Sequence, residues 1–281
     1  MSEEPKDLNF PTPSEVEEDP WRELRKYTPA RIGLGHAGIS QPTKHHLSFQ
    51  LDHARARDAV HSELNLEELL HSLNQHGYEP IALHSQAIDR RTYLQRPDLG
   101  RRLDDTSRKR LTEDKHTDQP YDLAFIIADG LSAFAVQQHA VNLLNQIVPQ
   151  LQKADWNIAP ITVVEQGRVA ISDDIGALLN AEQTVILIGE RPGLSSPDSL
   201  GVYLTYDPKP GRTDADRNCI SNIRSAGLSY EQAAHKLMYL LSEARRKKLS
   251  GIGLKDEAKE LQPVEQGALQ PAGNFLVEKN T

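Results

Sequence analysis

The sequence predicts an α/β chain: a Rossmann-like layered domain with a mainly parallel sheet, preceded by a smaller, mainly helical N-terminal region. Three observations carry that expectation. Apolar runs at Leu123–Ala128, Pro160–Val164 and Thr184–Ile188 are continuous rather than alternating, as in strands covered on both faces. Helical patterns separate these runs through short connections, the signature of strand-helix alternation around one sheet. Ahead of residue 120, apolar residues recur mostly at helical spacing instead.

Each element follows in chain order. Thr43 opens a helical segment whose face carries Leu47, Leu51 and Ala54, prolonged by Ala59 and Val60. Leu66, Leu69, Leu70 and Leu73 mark a second helix that stops near Gly77. Residues 79–86 read as a short strand, residues 89–119 as a charged stretch, and Thr112–Pro120 as a linker. Ser132 caps a helix carrying Ala135, Val136, Val141, Leu144, Ile147, Val148 and Leu151. Ile175–Leu179 is a short helix, and the alternating Val202–Tyr206 a fourth strand of the second half. Ser229 and Gln232 form a capping box ahead of a helix with Ala233, Leu237, Leu240, Leu241 and Ala244 on one face. That helix ends in Arg245-Arg-Lys-Lys248, suited to the negative end of its dipole. The expected organisation is a disordered acidic tail (1–20), a mainly helical region (21–119), the Rossmann-like domain (120–254) and a polar tail (255–281).

The net charge of −8 over 281 residues resides in the tails. Residues 1–20 hold seven acids against one base, and residues 255–281 five against three. The body, 21–254, has 28 of each sign. A neutral body argues against a general nucleic-acid binder, which needs a basic face. No apolar run reaches the length of a bilayer span. The N-terminus shows no basic and apolar signal segment, and the lone Cys219 fits a reducing compartment. The chain is therefore expected to be soluble and intracellular.

Several motifs have a bland reading beside a functional one. Asp129-Gly130-Leu131-Ser132 follows a buried strand and precedes a helix, where free N–H groups suit an anion; an ordinary helix start explains it equally well. Gly35-His36-Ala37-Gly38 lacks dinucleotide-fingerprint spacing and reads as a turn. The eleven histidines, including His45, His46 and His53, show no metal-ligand spacing with Cys219. Cys219 has no base nearby in sequence, so Arg217 and Asn218 beside it suggest a ligand-facing loop rather than a catalytic dyad. The arginines between Arg90 and Arg102 fit a solvated ion-pair face or a docking surface equally. The most informative stretch is Gly189–Asn222. It leaves the Thr184–Ile188 strand at once into glycine, proline and charge, where open α/β sheets place ligands.

Six ordered motifs carry a resemblance. They are Thr28-Pro-Ala-Arg-Ile-Gly-Leu-Gly-His-Ala-Gly38, Gln50-Leu-Asp-His-Ala-Arg-Ala-Arg-Asp-Ala-Val60, Tyr93-Leu-Gln-Arg-Pro-Asp-Leu-Gly-Arg-Arg102, Ile127-Ala-Asp-Gly-Leu-Ser132, Gly189-Glu-Arg-Pro-Gly-Leu194 and Asp216-Arg-Asn-Cys-Ile-Ser-Asn-Ile223. Over roughly residues 21–254 the chain resembles the small (light) subunit of ethanolamine ammonia-lyase. The resemblance implies an adenosylcobalamin-dependent enzyme that converts ethanolamine to acetaldehyde and ammonia. It places the radical chemistry and the substrate on a large TIM-barrel subunit, with cobalamin between the two subunits. It implies no catalytic residue and no metal ligand in this chain. Val169, Glu190 and Cys219 carry over as cobalamin contacts, each expected on a loop after a strand. The adjacent Asp52-His53 lacks the D-x-H-x-x-G spacing that supplies a lower cobalt ligand, so base-on cobalamin is implied. The resemblance leaves open enclosure in a bacterial microcompartment within the cytoplasm. Two rivals remain at this level, a stand-alone Rossmann-like nucleotide-binding protein and a non-enzymatic adaptor.

Overall fold

The protein is described here from a computed structural model covering residues 16–28, 30–113 and 119–258. The three continuous apolar runs become β2 (Tyr121–Ala128), β3 (Thr162–Glu165) and β4 (Ala181–Gly189). They join β1 (Ile81–His84), β5 (Leu200–Tyr206) and β6 (Arg217–Ile223) in one sheet of order β1-β3-β2-β4-β5-β6. The first four strands in that order run parallel; β5 and β6 add an antiparallel extension. The expected α/β class with a mainly parallel sheet holds.

Both faces of the sheet are covered by helices. One face packs against α2 (Leu66–Gln75), α5 (Ala133–Lys153) and α7 (Tyr230–Lys247) through Leu123, Phe125, Val185, Leu187, Val202 and Leu204. The other packs against α4 (Asp105–Glu113) and α6 (Ile171–Leu178) through Ala124, Ile126, Val164, Ile186 and Ile188. Odd and even positions of β4 thus serve different layers, which is the two-residue repeat of a strand. The caps read from sequence are in place: Ser132 accepts from Ala135 N, and Ser229 and Gln232 close a reciprocal box.

Four differences from the sequence reading matter. Arg217–Ile223, read as loop, is the edge strand β6, because its Ile220 and Ile223 enter the core beneath α7. The strand in the mainly helical region, β1, pairs with β3, so one sheet draws on residues either side of position 120. The charged stretch after residue 89 forms α3 (Arg90–Gln95) and α4, with Arg90 and Tyr93 buried. Finally, α1 (Thr43–His61) forms, but Pro42 rather than Thr43 precedes its first turn, and Leu47 and Leu51 are exposed. Only Ala59 of α1 is buried.

Of the expected acidic tail, residues 1–15 lie outside the described residues, whereas Glu17 pairs with His36 and Asp19 caps a 3₁₀ turn at Pro20–Lys26. Residues 259–281 and most of the expected linker, 114–118, also lie outside them.

Candidate functional site

At the β5–β6 extension the second face of the sheet is only partly covered. Helix α6 reaches one end of β6, where its Asp173 makes a two-bond ion pair with Arg217 at 2.7 and 2.8 Å. Beyond that pair, Cys219 and Ser221 alternate onto the same face and are exposed. Tyr203 of β5 stands opposite Cys219 in register. Val169 lies in the loop after β3 and packs against the same apolar layer as Tyr203.

Glu190 is one residue beyond β4, in phase with Ile186 and Ile188, so its side chain falls on this face. Its side chain lies over Gly201, the register partner of Ile188. A Cβ on Gly201 would sit 2.9 Å from Glu190 Oε1, so the missing side chain is what lets the carboxylate lie across β5. It reaches β6, where Ser221 Oγ donates to Oε1 at 2.5 Å and Asn222 N to Oε2 at 3.2 Å. Ser199 Oγ donates to Oε2 at 2.5 Å. Three donors therefore hold the carboxylate. An ionised carboxylate has about four acceptor positions, so room for one further N–H remains.

The electrostatics make the face a hydrogen-bonding surface, not a nucleophilic one. Desolvation pushes the Cys219 thiol above its ordinary value and Glu190 adds to the rise, against the opposing hydrogen bond from Tyr203. Burial, with Cys219 and Glu190 beside it, pushes the Tyr203 phenol up as well. Both groups stay protonated at neutral pH.

The three residues singled out from sequence thus share one sheet face and the loop edge beside it. Cys219, however, sits inside β6 rather than on a loop. Arg217, read as part of a ligand-facing loop, is buried in its ion pair with Asp173. Sequence reasoning missed Tyr203, Gly201 and Ser221. The alternation of Val202–Tyr206 signalled a strand, but only its pairing with β6 brings these positions to Glu190. In the Asp129–Ser132 turn, Ser132 caps α5 and also donates to Pro197 O. Gly35 and Gly38 sit in a turn with positive φ, before α1. Among the described residues no group of three or more His, Cys, Asp or Glu could hold a metal ion. No helix described is long and apolar enough to cross a membrane.

Comparison with known proteins bears on what the face belongs to. A family model described as "Ethanolamine ammonia-lyase light chain (EutC)" matches residues 18–255. An ethanolamine ammonia-lyase small subunit from Azotobacter vinelandii is 56% identical over 266 residues, covering 94% of this chain and 97% of that protein. The small subunit from Pseudomonas aeruginosa strain UCBPP-PA14 is 54% identical, covering 95% and 98%. That from Pseudomonas putida strain GB-1 is 52% identical, covering 97% and 99%. With the match spanning the sheet, both helical layers and the Glu190 face, the chain belongs to the ethanolamine ammonia-lyase small-subunit family.

Proposed function

We propose that the Val169–Glu190–Cys219 face holds cobalamin against the large subunit of ethanolamine ammonia-lyase, and that this chain contributes no catalytic residue. The observation that carries the reading is the Glu190 carboxylate, fixed by three donors over Gly201 with one acceptor position left. The donor set suits the group. Corrin carries amide side chains around an apolar ring, and this face offers a carboxylate and a hydroxyl beside Val169, Tyr203 and Cys219. Glu190 would accept from a corrin amide, while Val169 and Cys219 would give apolar contact. The cofactor would bind base-on, with no cobalt ligand from this chain, as the missing D-x-H-x-x-G spacing implies. Adenosylcobalamin, when bound, supplies the radical chemistry that turns ethanolamine into acetaldehyde and ammonia. The chain's own part is to orient the cofactor and shield one side of it.

The test is reconstitution. The purified chain alone is expected to produce no acetaldehyde from ethanolamine and adenosylcobalamin. Mixing with the large subunit is expected to restore turnover and saturable cobalamin binding. Turnover by the chain alone would reject the division of labour. Tight binding of a nucleotide at this face, with no cobalamin binding by the complex, would favour the stand-alone nucleotide-binding reading.

A further inference from the structure

Behind the ligand face, at the ends of β2 and β3, lies a cluster that the cofactor reading leaves unused. Asp129 is 1% exposed and Arg90 6%. The Arg90 guanidinium stands 3.4 Å from Asp129 Oδ2 and donates to Gly130 O at 2.7 Å. Tyr93 is fully buried between two guanidinium groups, Arg90 at 4.8 Å and Arg168 at 4.1 Å from its ring centre. These groups converge on one short piece of backbone. Asp129 Oδ1 accepts from Gly167 N at 3.0 Å as well as from Gly130 N at 2.9 Å. The Tyr93 hydroxyl donates to Gly167 O at 3.3 Å. Arg168 N donates to Gly100 O at 2.7 Å, and Arg168 Nη2 to Tyr93 O at 3.1 Å.

That backbone is the loop that delivers Val169. It begins at Gln166 with φ of 55°, a left-handed conformation that a non-glycine residue holds only when its surroundings impose it. Asp129 and Tyr93 grip Gly167 by its N–H and its C=O, so both sides of one residue are fixed from α3 and from the turn after β2. A Cβ on Gly100 would approach Gln166 O to 3.0 Å, which closes the third side. Burying a carboxylate beside the Arg90 guanidinium is a costly way to hold a loop if hydrophobic packing alone would do. Its return is a defined position for the residues that follow.

We propose that Asp129 and Tyr93 are positioning residues for ligand binding, setting the Gln166–Val169 loop through both hydrogen-bonding groups of Gly167. This rests on the cofactor reading of the Val169 face. Neither side chain is required to touch the ligand.

The experiment compares Asp129→Ala, Asp129→Asn and Tyr93→Phe in the full chain assembled with the large subunit. Asparagine keeps an oxygen that accepts from Gly167 N, and phenylalanine keeps the ring between the arginines. Cobalamin affinity is expected to fall about 10-fold or more in Asp129→Ala, with Asp129→Asn recovering most of it. Tyr93→Phe is expected to cost about 2- to 5-fold, corresponding to one neutral hydrogen bond. The KM for ethanolamine should stay unchanged in all three. In the free chain, amide exchange at Gly167 and Val169 should quicken in the same order. Should Asp129→Ala fail to fold, Tyr93→Phe still decides the matter. Wild-type affinity in Tyr93→Phe, or in a folded Asp129→Ala complex, overturns the proposal. A wild-type complex that itself binds no cobalamin removes the cofactor reading, and this inference with it.

Discussion

Glu190 is the side chain in which a structural role meets the proposed ligand-facing one. Read from sequence, a carboxylate after a buried strand needs a partner, because an unpaired charge in a protected place is costly. The chain itself supplies three donors, from Ser199, Ser221 and Asn222. Replacing Glu190 by Gln therefore acts twice. The amide nitrogen cannot accept from one of the serine hydroxyls, and the group facing the ligand loses its charge. Hydrogen bonds to charged groups contribute about 1.5–3 kcal/mol, so cobalamin affinity of the reconstituted complex is expected to fall roughly 10- to 100-fold. Thermal stability should fall with it, and ethanolamine saturation should hold. Titrating cobalamin into the Glu190→Gln complex is the check. A lowered melting temperature with unaltered cofactor affinity would leave Glu190 a purely structural residue.

At the level of elements, Cys219 and Ser221 are exposed because α6 stops short of covering β6. The junction is the buried ion pair between Arg217 of β6 and Asp173 of α6, whose side chains are 2% and 3% exposed. Arg217 also donates to Thr205 of β5 at 2.9 Å, so one guanidinium ties two strands to the helix. Burial pushes the Asp173 carboxyl above its ordinary value, against the opposing pull of Arg217. Arg217→Met would leave Asp173 buried without its partner. Such changes cost about 3–5 kcal/mol, and urea unfolding of the variant should show a loss of that size. Adding Asp173→Leu to the same chain should recover much of it, since a packed apolar pair removes the stranded charge. A single variant as stable as the wild type would mean that the junction draws its strength from packing alone.

Across the whole molecule, one sheet joins the two regions that the sequence separates near residue 120. β1 pairs with β3 over four residues, and Leu69, Leu73, Leu103 and Leu111 from before residue 120 fill both helical layers. A fragment of residues 120–254 would expose the open edge of β3 and lose these side chains. Its thermal unfolding, followed by circular dichroism, is expected to be broad and non-cooperative. Removing only residues 1–15 should leave a sharp transition close to that of the full chain. A sharp transition in the 120–254 fragment would show that the second half folds by itself. The sequence by itself determined the α/β class, because continuous apolar runs and capped helical faces are local patterns set by the geometry of strand and helix. It also pointed to Glu190 and Cys219 through motifs shared with the small-subunit family, and to Val169 through the resemblance as a whole. It could not show that Arg217–Ile223 is a strand or that Leu47 and Leu51 lie exposed on α1. Those outcomes depend on which surfaces meet. Only the tertiary structure brought Gly201, Tyr203 and Ser221 to Glu190, and Asp129 and Tyr93 to Gly167. Strand register and helix placement pair residues far apart in the chain, and no local pattern of side chains encodes those distances.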